Sequence, residues 1–475
     1  MGELSKGRFA TVFVALLAGM FVSAIDQMVV TTLSLSIVRD LGAGPGDAGW
    51  LVTTYLLAST AAMPLSGKIA DLYGRKATYL GAMGLFVAGS LGAVLSGNLA
   101  MLAVMRGIQG VGGGALVTAT FAVLADLVPP RDRGKYQGGF GAVFASSALL
   151  GPVVGGFFAD GHRMFGLVLD WHAVFALNIP LGLLAILVNA MSLPRSKRAA
   201  RRSLDLIGAA LLVAGVCALL LGAQRSSVWL DAGGVVVLGA FVWWELRAAE
   251  PILPMRLFRD RTFSGLNAGS LLLGLAVTGV LVYLTVYVQL AQGVTPTQAG
   301  LSLLPLSLGM VAASTVAGLL ATKLGRFRPF VLVGAPIATL GMVLLSTLDV
   351  DTSIGTVRAY ALLVGVGAGL MQQMFVLGVQ NSARAEDLGV ATASTTFFRT
   401  LGGSLGAAVF GAIFAGRTGG STEPAVTVTA MTTVFLTAAA LGAVIFVVTF
   451  LVPDRPLREL DQESLALAEL GLGAE

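Results

Sequence analysis

Asp26 is a carboxylate in the middle of an apolar run, and no other run in the chain holds an acid so deep; Asp126, Asp205 and Glu245 lie near the ends of theirs. A charge at that depth in hydrocarbon is costly unless it is paired, hydrated or protonated, so the position predicts a functional acid. Ser23, Gln27, Thr31 and Ser34 recur around it at helical spacing, a polar stripe that suits an aqueous cavity. Two cations occupy similar ground, Arg106 and Arg399. Arg106 with Gln109 could hold Asp26 ionised between proton loads. Alternatively, it bonds backbone carbonyls of the first run and orders the helix packing. Arg399, in FFRTLGGSLG, lies toward one end of its run and is expected to snorkel to the cytoplasmic side as a structural cation.

Aromatic and amide side chains in the runs are candidates for lining the same cavity: Gln27, Tyr55, Gln109, Phe144, Tyr283, Tyr287, Gln372, Gln373 and Phe398. That mixture suits a loosely specified amphipathic ligand, although an isolated aromatic in a span more often packs against lipid or core. No glycine loop ending in Lys-Ser/Thr cradles a phosphate, and no nucleophile elbow is present. Cys217 is the only cysteine and the two histidines share one loop, so neither an intramolecular disulfide nor a metal cluster is expected.

A second kind of chemistry sits in a loop. GKIADLYGRK, Gly67 to Lys76, returns as GLLATKLGR, Gly318 to Arg326. At a constant offset of 251, Gly67, Ala70, Gly74 and Arg75 fall on Gly318, Ala321, Gly325 and Arg326, while Thr322 replaces Asp71. Positive charge alone does not require such a repeat, which points to an internal duplication. Glycines let helices approach and the chain turn tightly. Asp71 could accept hydrogen bonds from the open N-terminus of a neighbouring helix.

The elements that must position these groups are membrane spans. Of 475 residues, 56% are apolar and only 12% charged, about half the charged share of a soluble chain. Runs of span length fall near Phe9–Ser36, Ala48–Lys68, Ala77–Ser96, Ala100–Leu127, Tyr136–Ala159 and Ala173–Leu193. A central pair follows at Leu204–Leu221 and Ala232–Trp244, the latter only 13 residues long. Six more run Phe263–Leu290, Thr297–Thr322, Pro329–Thr347, Gly355–Val379, Gly389–Ala415 and Val426–Val452, giving fourteen. Without the short one, the two copies of the loop would face opposite sides.

With the N-terminus inside, inner segments carry 23 of the 30 Lys and Arg, and outer loops only Arg39, Arg163, Arg225, Arg358 and Arg417. That asymmetry predicts both termini on the cytoplasmic side. Lys6 and Arg8 precede a run of span length, so a signal peptide is not expected. The formal charge of +5 sorts by membrane side rather than onto one face, which argues against a nucleic-acid partner. The basic run Pro194–Arg202 suits contact with anionic membrane lipid. Arginine outnumbers lysine 24 to 6 beside heavy Ala, Gly and Val usage, consistent with a GC-rich bacterial genome; with the apolar spans, the expected location is the bacterial cytoplasmic membrane. The expected division is residues 1–193, a linker and central pair at 194–262, a second half at 263–452, and a tail at 453–475.

Four ordered motifs carry a family resemblance. Gly67, Asp71, Gly74, Arg75 and Lys76 resemble the signature between spans two and three of the major facilitator superfamily. Arg106, Gln109, Gly110 and Gly112 resemble its fourth-span motif. Gly151, Pro152, Gly155 and Gly156, with Ser147 in place of the first glycine, resemble the fifth-span motif associated with proton-driven exporters. Read as residues alone, that stretch is a small-residue packing seam with a bend. Trp171, Phe175, Asn178 and Pro180 resemble the start of the sixth span in the fourteen-span drug:proton antiporter branch, with His172 where arginine is usual. That branch carries an acid at the place of Asp26, followed by asparagine and proline where Thr31 and Leu35 stand here.

The resemblance implies an all-α polytopic membrane protein of the major facilitator fold, two six-helix bundles plus two extra central spans. It implies a non-enzymatic, proton-coupled exporter of amphipathic small molecules such as drugs, monomeric, without a cofactor and driven by the proton gradient. Asp26 and Arg106 would couple the proton. Asp71 and Arg75 would latch a cytoplasmic gate by docking on the start of the Gly389 span. Export of a lipid or a self-made natural product is the alternative, and a non-transporting sensor or a channel is the alternative of another class.

Overall fold

The computed structural model describes residues 6–43, 48–128, 130–159, 162–164, 167–193, 205–225, 227–249, 251–294, 296–384, 387–419, 421 and 423–457. The chain runs α1 (Lys6–Asp40), α2 (Ala48–Tyr73), α3 (Arg75–Val94), α4 (Leu99–Leu127), α5 (Pro130–Ala159) and α6 (Trp171–Ser192). Next come α7 (Leu206–Arg225) and α8 (Val228–Glu245). Then follow α9 (Arg261–Leu290), α10 (Pro296–Ser302), α11 (Leu304–Leu324), α12 (Arg328–Leu345), α13 (Ile354–Ser382), α14 (Leu388–Thr418) and α15 (Pro424–Phe450). Each of the fourteen expected runs coincides with a long helix, and eleven of these helices are long and apolar enough to cross a membrane. Among the described residues the only strands are β1 (His162–Met164) and β2 (Leu167–Leu169), a small antiparallel ribbon between α5 and α6. The basic run Pro194–Arg202 and the tail beyond Leu457 lie outside the described residues.

Helix ends follow local chemistry. Asn98, Asp170, Asp260 and Ser353 cap α4, α6, α9 and α13, each accepting a backbone N–H of the first turn. Gly74 separates α2 from α3 at φ 92°, where an L side chain would be strained. The expected run Thr297–Thr322 is broken at Leu303, because Pro305 in the next turn lacks an N–H and its ring blocks the preceding carbonyl. The short run Ala232–Trp244 becomes 18 residues in α8. Its terminal Glu245 is buried and accepts the N–H groups of Ile252 and Leu253 at 3.2 and 3.0 Å. Trp229 and Trp243, both exposed, stand near the two ends of α8, about 21 Å apart at 1.5 Å per residue.

The first six helices build their core around Tyr79, Phe86, Phe140 and Phe175. The second set builds its own around Phe263, Phe375, Phe410 and Phe435. The most extensive contacts between the halves are two crossed ones, α2 on α14 and α5 on α11. The offset of 251 carries α2 onto α10–α11 and α5 onto α14, so these are one interface seen twice. Helices α7 and α8 pack beside the α2–α14 contact, where Leu212, Val216 and Phe241 meet Leu57, Val390 and Phe397. Outward-facing Leu85, Leu184, Val236, Leu340 and Val447 are exposed, as a lipid-facing surface requires.

Candidate functional site

Asp26 on α1 is 1% exposed and faces Arg106 of α4, equally buried, with Arg106 Nη1 2.5 Å from Asp26 Oδ2. Its other oxygen, Oδ1, accepts from Asn178 Nδ2 of α6 at 2.6 Å. Three helices therefore converge on one carboxylate. The guanidinium is held in turn: Arg106 Nη1 donates to Gln109 Oε1 at 2.9 Å and Nε to the Leu51 carbonyl at 3.3 Å. Gln109 Nε2 donates to Ser90 Oγ at 2.7 Å. The ring of Tyr55 lies 4.4 Å from the guanidinium carbon, with its hydroxyl 2.9 Å from Ser23 Oγ. Arg106 Nη2 is buried with no hydrogen-bond partner among the described residues, so the network keeps one donor nitrogen available. Removing either member of such a pair costs about 3–5 kcal/mol, since the other charge is then buried alone.

The span-one carbonyl reading of Arg106 is replaced by a carbonyl of α2, that of Leu51. Asn178 and Ser90 were not among the candidates. Asn178 belongs to the stretch WHAVFALNIP, and as a polar side chain within an apolar run it carries the same signal as Asp26. Ser90 gave none, because a serine in a span usually bonds its own helix, as Ser90 Oγ also does to Phe86 O at 2.9 Å.

The cavity candidates divide. Gln109 and Tyr55 support Arg106. Gln27 and Gln372 are half-buried and make no side-chain hydrogen bond among the described residues, whereas Gln373 is buried with Oε1 unpartnered. Tyr283 packs on Phe414 inside the second half. Tyr287 ties α9 to the turn between α12 and α13, donating to Asp349 O at 2.7 Å. Phe398 packs on Phe397 and on Phe258, on the side of α14 that meets the extra pair. Phe144 on α5 lies across from Arg399, 5.8 Å from ring centroid to guanidinium carbon. Arg399 therefore does not snorkel to a helix end; its side chain reaches the opposite half.

At the end of α2, Asp71 pairs with Arg75, whose Nε is also 3.2 Å from Asp126 Oδ2. Asp71 Oδ2 accepts the N–H of Val390, in the first turn of α14, at 3.2 Å. Gly67 and Gly389 make that approach possible. A methyl added at Gly67 would meet the Gly389 carbonyl at 2.9 Å, and one at Gly389 would meet the Asp71 carboxylate and the Arg75 guanidinium at 2.5 Å. Lys76 does not join this contact; its Nζ donates to the Ala190 and Leu193 carbonyls at 2.5 and 2.9 Å and caps α6. In the second copy, Arg326 pairs with Asp454 at 3.2 Å, since Thr322 offers no charge. Gly151 packs on Met28 and Gly155 on Thr32, closing α5 against α1, while Gly156 faces open space. The ring of Pro152 lies outside the described residues.

Comparison with known proteins agrees with this architecture. An MFS-type transporter of Mycobacterium tuberculosis is 36% identical over 411 residues, covering 84% of this chain, which spans 59% of that protein's length. The multidrug transporter protein MdtP of Bacillus subtilis is 34% identical over 412 residues, 85% of this chain and 74% of the relative. Among solved structures, the human organic anion transporter MFSD10 superposes with a TM-score of 0.69 at 15% identity, covering 93% of this chain and 99% of that one. The proton:xylose symporter XylE gives 0.66 at 16%, covering 97% and 100%. The profile of the Major Facilitator Superfamily matches residues 15–407, spanning the Asp71–Val390 contact, the Asp26–Arg106 pair and most of both halves, and the chain belongs to that superfamily.

Proposed function

We propose that this chain is a proton-coupled exporter of amphipathic small molecules, working by alternating access with Asp26 as the proton carrier. The observation that carries the reading is the fully buried Asp26, held between Arg106 and Asn178 at the meeting point of three helices. Protonating Asp26 removes the charge that balances Arg106, and deprotonation restores it. Proton occupancy and the packing of α1 against α4 and α6 are therefore linked, and any movement that separates them changes proton affinity. The contact of Asp71 with α14 supplies the gate, closed on the side that charge asymmetry assigns to the cytoplasm. Relatives bearing the names multidrug transporter and multidrug resistance protein support export of drug-like molecules.

One proton per cycle is the simplest stoichiometry for one deep acid. Exchange for a neutral substrate then moves one charge and gains about 2.3 kcal/mol per 100 mV. Exchange for a monovalent cation moves none. Asp26→Asn removes the charge at nearly constant shape, so it should abolish pH-gradient-driven accumulation in proteoliposomes while downhill exchange of a neutral substrate survives. A variant that still concentrates substrate would show that the proton travels elsewhere. A channel would not concentrate in the wild type, and a sensor would move nothing.

A further inference from the structure

Arg399 is the twelfth residue of α14, about 17 Å from the helix start, and its guanidinium has no hydrogen-bond or ion-pair partner among the described residues. What it meets is the ring of Phe144, on α5 of the opposite half. Both side chains are half-buried, so accessible space remains beside them. Asp26 is not free to balance this cation, because its two oxygens are taken by Arg106 and Asn178.

The duplication sharpens the point. Gly151 and Gly155 fall on Gly402 and Gly406 at the same offset of 251, so the register holds along α5 and α14. At that offset Asp26 and Arg106 fall on Val277 and Val357, and Arg399 falls back on Ala148. The first half thus holds a neutral pair and the second a lone cation. With Asp26 ionised, these three deep charges sum to +1.

We propose that Arg399 and Phe144 form a binding site for an amphipathic anion. The guanidinium takes a carboxylate, sulfonate or phosphate group through its planar fork of donors, and the Phe144 ring takes the adjoining apolar body. A cationic drug entering the same space meets an unbalanced positive charge and is disfavoured. Since the two groups belong to opposite halves, a ligand that spans them reads the relative position of α5 and α14. The exporter reading supplies the direction of movement; binding stands without it.

Three probes share one apolar body and differ in charge: 1-naphthaleneacetate, its neutral methyl ester, and 1-naphthylmethylammonium. Equilibrium binding to the purified full chain should favour the anion over both others by about ten- to a hundredfold, the range of a charge-assisted hydrogen bond. Arg399→Gln should bring anion binding down to the level of the ester while ester binding is retained, which also reports that the variant is folded. Arg399→Lys should keep the preference for charge in weaker form, and serves if the Gln variant does not fold. A wild type that binds none of the probes, or binds the cation best, overturns the site, as does an anion preference that survives Arg399→Gln. Repeating the measurement with phosphatidylglycerol present separates the sources of the anion. Competition that disappears in Arg399→Gln assigns the site to a lipid headgroup and overturns the small-molecule reading. Loss of gradient-driven accumulation with this binding preference intact would refute the coupled exporter and leave the site in place.

Discussion

Asn178 sets how tightly Asp26 is specified. Its amide is 4% exposed and donates to a carboxylate that Arg106 contacts from the other side. Asn178→Ala removes one charge-assisted hydrogen bond, a loss of about 1.5–3 kcal/mol. Asn178→Asp is nearly isosteric but brings a second carboxylate to hydrogen-bond distance, so it should cost more unless it holds a proton. Thermal unfolding of the purified protein near neutral pH should rank wild type above Asn178→Ala and Asn178→Asp lowest. An Asp variant as stable as the Ala one at alkaline as well as neutral pH would mean that the three-helix contact around Asp26 does not form.

Two contacts act at the scale of elements. The α2–α14 contact, the proposed latch, depends on bare backbone at Gly389, where an added methyl would reach the Asp71 carboxylate and the Arg75 guanidinium. Gly389→Val should therefore wedge the latch open. Asp71→Asn and Arg75→Ala should weaken it, slowing transport while leaving substrate binding in detergent nearly intact. Binding lost as fully as transport would place the loop inside the substrate site.

The second contact is the short strap that follows α15. Arg455 Nη1 lies 2.7 Å from Asp260 Oδ2, Asn381 Nδ2 donates to the Pro456 carbonyl at 3.0 Å, and the Leu457 N–H donates to the Gly325 carbonyl at 2.8 Å. Burial alone would raise the Asp260 carboxyl, but the bonds from Arg455 and from the Phe263 and Thr262 N–H groups outweigh it and hold Asp260 below the usual carboxylate value. A depressed folded value stabilises the strap fully above the ordinary carboxylate range, about pH 4, and that contribution fades as pH falls through the lower folded value. A fluorophore attached near residue 457 should report a docked strap from neutral pH down to about pH 4, and release only below it. Release between pH 5 and 7 would exclude Asp260 as the anchor.

The whole molecule is one six-helix plan written twice. The offset read from a short loop carries α1 onto α9, α2 onto α10–α11, α3 onto α12, α4 onto α13, α5 onto α14 and α6 onto α15. The extra pair α7–α8 stands between the copies in sequence and beside the α2–α14 contact in space. An even number of inserted spans would keep the copies in the same orientation, as the charge count predicts. Cysteines introduced at Gly161 and Ser196, in a Cys217→Ala background, should label from opposite sides with an impermeant thiol reagent. Labelling from the same side would refute the fourteen-span arrangement.

Much of this was legible in the chain itself, because hydrocarbon is an unforgiving solvent. Span positions follow from apolar length, loop cations predict an orientation, and Asp26 stands out because a lone acid in a span must be paired, hydrated or protonated, and it is found paired. The repeat of Gly67–Arg75 at Gly318–Arg326 exposed the duplication without any coordinates. Partnership was not legible, since spacing along a helix says nothing about which helix lies opposite. Asn178 is 152 residues from Asp26, and Val390 is 319 from Asp71. Arg399 shows the difference most clearly. Its depth suggested a side chain reaching for the membrane surface, but packing of α14 against the other half turned it toward Phe144, where its charge is left for a ligand to answer.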